Sequence, residues 1–289
     1  MGETQNPWRS PVWLVLASIA SVQVGATFAK AMFGTVEPAT MAWLRMAIAC
    51  PILLLVARPR LRGRTASEWH AVLGYGLALG TMNFAIYQSF ARIPIGLAAT
   101  IEFLGPLVVA FTGIRRVRDV AWIVLAAAGV VLLGWSPLVW DAAGIGWALL
   151  AAGCWAGYIV LSVPVGRTWS GISGVAVGSA VGAVVFAVPG LLAAGDSLAE
   201  PRVHGLAVLV ALLSSVLPYG LEMVALRRIN PAVFSILMSL EPAAAALAAL
   251  LVLGETLALP ELAAMACVIV ASVGATRTMG RPSVRPDDH

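Results

Sequence analysis

Apolar runs of about twenty residues follow one another along nearly the whole chain, and about 20 is the number that a helix needs to cross the hydrocarbon core of a bilayer. Strands are excluded, because the runs lack the alternation of a membrane barrel and open sheet edges cannot face lipid. The sequence therefore predicts an all-α membrane protein. Its ten membrane-spanning helices are expected at 12–33, 39–57, 69–91, 95–113, 120–138, 144–163, 172–194, 204–226, 231–253 and 258–276.

Composition supports the same class. Of the 289 residues, 60% are apolar and 11% are charged, whereas soluble domains carry about 25% charged residues. A net charge of +4 does not predict nucleic-acid binding, because the basic residues form short clusters between apolar runs. The cysteines Cys50, Cys154 and Cys267 all lie within apolar runs, where they are expected to act as small apolar side chains.

Enzyme and metal motifs are missing from the sequence. It contains no H-E-x-x-H, nucleophile elbow or phosphate loop. The three histidines, His70, His204 and His289, are far apart and lie near span ends or in the tail. We therefore expect neither a metal site nor a cofactor, and we do not expect an enzyme.

Basic residues are distributed unevenly between the two sides of the predicted bundle. The even-numbered loops and both termini hold 14 of the 18 basic residues, while the odd-numbered loops hold only Arg92 and Arg202. Because cytoplasmic loops of membrane proteins are enriched in Lys and Arg, both termini are predicted to be cytoplasmic. One alternative is a cleaved signal peptide at residues 9–31, with "AKA" (29–31) as the cleavage site. The apolar stretch is too long and contains too many polar residues for a signal peptide.

An internal repeat is visible when the chain is shifted by 136 residues. "ARIPIGLAATIEFLGP" (91–106) then aligns with "RRINPAVFSILMSLEP" (227–242), and a shift of 132 aligns "SVQVGATF" (21–28) with "GCWAGYIV" (153–160). Each half holds five spans, an odd number, so the second half must cross the bilayer in the opposite sense. Inverted repeats are typical of secondary transporters, whose substrate site lies near the midplane between the repeats.

This repeat divides the chain into four segments. We expect a cytoplasmic N-terminus (1–11), a first five-helix repeat (12–140), a second five-helix repeat (141–276) and a cytoplasmic tail (277–289).

Three carboxyl side chains lie inside predicted spans: Glu102, Glu222 and Glu241. A charged side chain at the bilayer centre costs about 2.5–3.5 kcal/mol on insertion scales, so such residues usually face a cavity or a partner. Burial favours the neutral form of a carboxyl group, which suits one that takes up a proton on one side and releases it on the other. When ionised, it can instead hold a substrate ammonium. The alternative is a structural role, in which a neutral Glu bonds a neighbouring helix near carbonyls freed by Pro106 or Pro242.

Other polar and aromatic residues recur at helical spacing and are predicted to line a substrate cavity. They are Gln23 and Thr27 on helix 1, Asn83 and Tyr87 on helix 3, Trp155 and Tyr158 on helix 6, and Tyr219 on helix 8. Aromatic residues in membrane helices also serve as packing or interface anchors. Lys30 is expected to extend towards the outer surface, Arg45 to do so or to pair with a Glu, and Glu255 to order the outer loop.

Pairs of glycines one helical turn apart are expected to let helix backbones approach closely. They occur in "GLALG" (76–80), "GCWAG" (153–157) and "GSAVG" (178–182), and static packing is favoured over a hinge.

Several segments resemble the EamA-type transporters of the drug/metabolite transporter superfamily, and most closely its threonine/homoserine exporter group. These segments are "SVQVGATFAKAMF" (21–33), "MNFAIYQSFARIPIGLAATIEFLGPL" (82–107), "GCWAGYIVLS" (153–162), "LPYGLEMVALRRI" (217–229) and "LMSLEPAAAALAALLVLGE" (237–255). Many relatives carry "LGE" after the fourth helix as well as the ninth. Here the fourth helix runs into "FTGIRRVRD" (111–119), as in the threonine/homoserine group.

The resemblance implies ten helices in two inverted repeats, cytoplasmic termini, and export of small amphipathic metabolites in exchange for protons. We therefore predict a proton-coupled exporter of small amino acids in a bacterial inner membrane, with Glu102 as the first choice for proton coupling or ammonium binding and Glu222 as the second. The expected partners are an amino-acid substrate, protons and the lipid bilayer, and a homodimer is compatible with the sequence. The alternatives are a broad exporter of drugs or other metabolites, an importer, or a non-transporting membrane scaffold.

Overall fold

The computed structural model describes residues 11–112, 120–133, 141–229 and 231–279, and within these ranges the chain is helical with no strand. The basic segment 115–119, the predicted end of the fifth span at 134–138, the first ten residues and the tail from residue 280 lie outside the described residues. The helices are α1 (Val12–Ala31), α2 (Pro38–Ala57), α3 (Ala66–Phe90), α4 (Ile95–Glu102), α5 (Leu104–Thr112), α6 (Val120–Leu133), α7 (Ala142–Thr168), α8 (Ser173–Val185), α9 (Ala187–Leu192), α10 (Pro201–Ala211), α11 (Leu217–Leu226), α12 (Pro231–Met238), α13 (Glu241–Leu253) and α14 (Leu259–Met279).

The bundle is that of an α-helical membrane protein. Among the described residues, seven helices or runs of adjoining helices are long and apolar enough to cross a bilayer, and two shorter apolar helices lie at Val120–Gly129 and Ser173–Val185. Large apolar side chains cover the outside of the bundle. Leu55, Val184, Leu192 and Leu251 are each more than 70% exposed, which water would penalise and lipid acyl chains would not.

Four of the predicted spans are broken or distorted, and each break lies just before a proline. The helix is interrupted at Phe103 before Pro106, at Phe186 before Pro189 and at Ser239 before Pro242. A proline removes one N–H and its ring collides with the carbonyl four residues earlier, so the regular ladder cannot continue through these positions.

The fourth distortion is a π-helical turn, Leu212–Val216, which joins α10 to α11 immediately before Pro218. Its carbonyls are bonded by side chains from other helices: Ser21 donates to Leu213 O (2.6 Å), and Arg45 Nη2 donates to Ser214 O (2.7 Å). Ser214 O is the carbonyl that Pro218 leaves without its usual helical partner. Pro218 therefore leaves the Ser214 carbonyl oxygen free to accept a hydrogen bond, and Arg45 donates to it.

Two of the predicted glycine pairs pack against each other where α3 meets α8. A Cβ placed on Gly76 would come within 2.8 Å of Gly178 Cα, and one on Gly80 within 2.6 Å of Gly182 Cα. This confirms close backbone approach for "GLALG" and "GSAVG". The interpretation is wrong for "GCWAG", since no atom of the described residues lies within 4 Å of a Cβ added to Gly153.

Replacing Gly80 with Ala is expected to destabilise the protein, because the added methyl would collide with backbone that cannot rotate away. Overpacking of this kind costs about 1–3 kcal/mol, so the unfolding temperature in detergent should fall by several degrees. Gly74→Ala is the matched control in the same helix, since among the described residues its Cβ would meet only Leu161 Cδ1, at 3.5 Å. Equal unfolding temperatures for the two variants would contradict close packing of α3 on α8.

Candidate functional site

Two adjoining cavities occupy the centre of the bundle, with volumes of about 460 Å³ and about 90 Å³. Small-molecule sites usually measure about 300–1,000 Å³. Five residues line both cavities and so mark where they meet: Val22, Arg45, Met82, Trp155 and Glu241. These residues come from α1, α2, α3, α7 and α13, and both halves of the sequence therefore contribute to the meeting point.

The larger cavity extends towards one end of the bundle, which we call the basic end because α2 and α11 run there into Arg58 and Arg227. It is lined by polar and aromatic residues near the ends of α7, α11 and α12. These residues include Tyr158, Ser162, Tyr219, Glu222, Phe234 and Ser235.

The smaller cavity extends towards the opposite end. Gln23, Asn83 and Glu102 line it, together with Phe90 at the last position of α3. Asn83 uses its amide to donate to Leu79 O at 2.7 Å within the same helix, which leaves its side-chain oxygen available to the cavity.

The three predicted carboxyl groups all reach this central region. Glu102, at the end of α4, lines the smaller cavity, Glu222 the larger one, and Glu241 both. Ser18 donates to Glu222 Oε1 at 2.6 Å, and Gln23 Nε2 donates to Glu241 Oε1 at 3.2 Å. The second oxygen of Glu241, Oε2, is buried and has no hydrogen-bond partner among the described residues. One buried acceptor at the meeting point of the cavities is thus left unsatisfied.

Sequence reasoning left Arg45 out of the site, expecting it to extend outward or to pair with a Glu. Instead it is 7% exposed, with Nε donating to Ser215 Oγ at 3.0 Å and Nη2 donating to Ser214 O. No carboxylate of the described residues lies within 4 Å of it. The signal in the sequence was Pro218, which frees the carbonyl that Arg45 bonds, but that pairing joins residues 169 positions apart.

Two predicted cavity residues lie beside the cavities rather than in their linings. Thr27 is fully buried and donates to Gln23 O at 2.7 Å. Tyr87 is also fully buried, and its hydroxyl has no hydrogen-bond partner in the described part of the chain. The guanidinium carbon of Arg45 lies 5.6 Å from the centre of the Tyr87 ring, a cation–π distance. The Tyr87 ring therefore stabilises the guanidinium of Arg45 without itself lining either cavity.

An ion pair closes the bundle at the end opposite the basic end. Lys30, at the end of α1, pairs with Glu255 in the loop after α13, and both side chains are 19% exposed. Lys30 also donates to Ile93 O, and Glu255 Oε2 accepts from Ile95 N, each at 2.9 Å. Gly254, with φ at +69°, makes the left-handed turn that presents Glu255. We call Lys30, Glu255 and their two backbone partners the outer lock.

The described residues contain no group of three or more His, Cys, Asp or Glu side chains placed to hold a metal ion. The chemistry available at the site is therefore that of carboxyl, guanidinium, amide and aromatic groups around a cavity.

Sequence comparison relates the chain to a family of membrane transporters. The profile of the EamA-like transporter family matches residues 142–277. The chain is similar to the threonine/homoserine exporter RhtA of Salmonella typhimurium strain LT2, with 40% identity over 287 residues, covering 96% of this chain and 97% of the relative. It is also 40% identical over 283 residues to the exporter of the same name from Escherichia coli strain K12, with 95% of each chain covered.

A solved structure named "Crystal structure of protein" has a similar fold, with a TM-score of 0.62 at 18% identity. The match covers 92% of this chain and 97% of the other.

Proposed function

Because the chain belongs to the EamA-like transporter family, we propose that it exports small amino acids such as threonine and homoserine across a bacterial inner membrane. The observation that carries this proposal is the 40% identity to threonine/homoserine exporters over nearly the whole of both chains. The relatives are transporters rather than enzymes, in keeping with a central cavity in place of a catalytic constellation.

The chemistry of the cavity supports the same conclusion. A basic and three acidic side chains line the two adjoining cavities inside a membrane bundle. There each charge is costly unless it has a partner or faces a water-filled cavity, so such residues usually have a function. A small amino acid carries one positive and one negative group, and the cavity offers partners for both. Trp155, Tyr158 and Tyr219 add an aromatic wall beside the charged groups.

Export is proposed to be driven by protons moving in the opposite direction. Glu102 is our first candidate for the proton-carrying group, since it lines the narrower cavity between the meeting point and the outer lock. Glu222 is the second candidate, and Glu241 shares the cavity with both. A proton taken up by Glu102 from the external side would have to leave to the cytoplasm before the cavity opens to the external side again.

The proposed architecture is ten spans in two inverted five-helix repeats, at 12–140 and 141–276, with both termini cytoplasmic. The helix breaks support it, because Phe103 and Ser239 are separated by the same 136 residues that relate the two halves in sequence. Broken helices near the midplane are typical of transporters built from inverted repeats. In this orientation the basic end faces the cytoplasm and the outer lock closes the external side. Export then requires a second conformation in which the site opens to the external side.

Flux through purified protein in lipid vesicles tests the proposal. We expect saturable threonine and homoserine transport. A pH gradient that drives protons in the direction opposite to the amino acid should accelerate it at least about tenfold, because exchange without a gradient lacks this driving force. A panel of toxic analogues and drugs in the same assay separates amino-acid export from broad-specificity export. Vesicles that show no saturable flux of any amino acid would contradict the proposal and favour a scaffold.

A further inference from the structure

Arg45 is a buried cation that makes no direct ion pair with the described residues. It contacts no carboxylate within 4 Å among the described residues, although Glu102, Glu222 and Glu241 all line cavities that it also lines. A guanidinium without a counter-charge inside a membrane bundle is strongly disfavoured. The cavities beside Arg45 can therefore accept an anionic group of a ligand.

The donors of Arg45 are only partly used. A guanidinium carries five N–H groups; one goes to Ser215 Oγ and one to Ser214 O. The other three have no partner among the described residues, and they lie on a side chain that lines both cavities. The π-helical turn on one side and the Tyr87 ring on the other fix this side chain in place. Such a fixed fork matches the two oxygens of a carboxylate.

An unused acceptor lies across the same space. Glu241 lines both cavities, as Arg45 does, and its Oε1 is held by Gln23 while its Oε2 is buried and unpartnered. A buried acceptor without a donor costs about 1–3 kcal/mol. An ammonium group is a donor that would satisfy it and bring the opposite charge.

We propose that Arg45 binds the α-carboxylate of the transported amino acid while Glu241 binds its ammonium group, so that Arg45 is the specificity-determining residue for substrates with a free carboxylate. This inference rests on the proposed function and extends it to the class of substrate: zwitterions are selected, and amines or esters of the same size are rejected. Val22, Met82 and Trp155, which line both cavities with this pair, form the apolar walls of the subsite.

The alternative is that Arg45 only fastens the π-helical turn. The two roles differ in what they do to different ligands. If Arg45 only stabilises the turn, its replacement should weaken the binding of every ligand equally. If it binds the carboxylate, its replacement should weaken the binding only of ligands that carry a carboxylate.

Ligand-induced thermal stabilisation of the purified protein tests this difference without requiring transport. The ligands are L-threonine and threoninol, in which a hydroxymethyl group replaces the carboxylate. With the unaltered protein, threoninol should bind about 10- to 100-fold more weakly than threonine, the usual worth of a hydrogen-bonded charge. In Arg45→Gln, threonine should bind as weakly as threoninol binds to the unaltered protein. The threoninol affinity should change by less than about threefold, because threoninol has no carboxylate and makes no contact that the substitution removes.

The outcomes separate the inference from the proposed function. Equal binding of threonine and threoninol by the unaltered protein overturns the inference, even if Arg45→Gln does not fold and even if amino-acid flux is normal. An equal loss for both ligands in Arg45→Gln also overturns it and assigns Arg45 to the π-helical turn. Absence of flux and of stabilisation with every amino acid overturns the proposed function, and this inference with it.

Discussion

Replacing Glu102 with Gln is expected to abolish proton-driven export while leaving exchange of substrate intact. Glutamine keeps the size of the side chain and its hydrogen-bonding atoms but cannot carry a proton across. In vesicles, threonine flux driven by a pH gradient should fall at least about tenfold, whereas exchange of labelled for unlabelled threonine without a gradient continues, because ionisable residues inside membrane helices serve such proton relays. The measurement is the ratio of these two fluxes in one preparation.

Glu200→Gln is the matched control, since Glu200 is exposed and lies just before α10. It should leave both fluxes unchanged. If Glu102→Gln retains full flux that still responds to pH, Glu102 does not couple protons. The same loss in Glu222→Gln instead would transfer the role to the second candidate.

Breaking the outer lock is expected to open the external side of the protein. Glu255→Gln removes the charge that holds Lys30 and weakens the bond to Ile95 N. Hydrogen bonds to charged groups contribute about 1.5–3 kcal/mol, which shifts an equilibrium between two conformations roughly 10- to 100-fold. A cysteine placed at Phe90, which lines the smaller cavity, should then react at least about tenfold faster with a membrane-impermeant maleimide added outside intact cells.

The charge exchange Lys30→Glu with Glu255→Lys provides a sharper test of the lock. It restores the ion pair, but a carboxylate at position 30 cannot donate to Ile93 O and a Lys at position 255 cannot accept from Ile95 N. The labelling rate of Phe90→Cys should therefore fall only part of the way back to its value in the protein with the unaltered Lys30–Glu255 pair. All cysteines are compared in a background lacking Cys50, Cys154 and Cys267.

A cysteine at Leu61, between α2 and α3, is the orientation control for this experiment and should stay unlabelled in intact cells. Its labelling from outside would contradict cytoplasmic termini. Labelling of Phe90→Cys that is the same with and without Glu255→Gln would contradict the lock.

The apolar runs predicted the helices, but the breaks were not predicted, because the sequence analysis placed continuous spans at 95–113 and 231–253. Pro106 and Pro242 were noted as freeing carbonyls, and α4 and α12 do end just before them. The direction in which each helix faces was harder to predict, because lipid and protein interior are equally apolar and leave no polar face to read.

Helix α1 shows this limit in detail. Gln23, Thr27 and Lys30 follow one another at spacings of four and three residues, but seven residues of helix extend over about 10 Å. They consequently lie at three levels: Gln23 at the cavity, Thr27 bonded within its own helix, and Lys30 in the outer lock. Arg45 was beyond sequence reasoning for another reason, since its partners belong to a helix distortion in the other half of the chain.

The contact between α3 and α8 has a consequence for how the molecule is put together. Gly76 and Gly80 belong to the first half of the chain, and Gly178 and Gly182, whose backbone they approach closely, belong to the second. A cut near residue 140 divides the gene product evenly, yet it leaves each fragment with bare backbone that only the other fragment can cover. We therefore expect the two halves to fold together as one unit rather than independently.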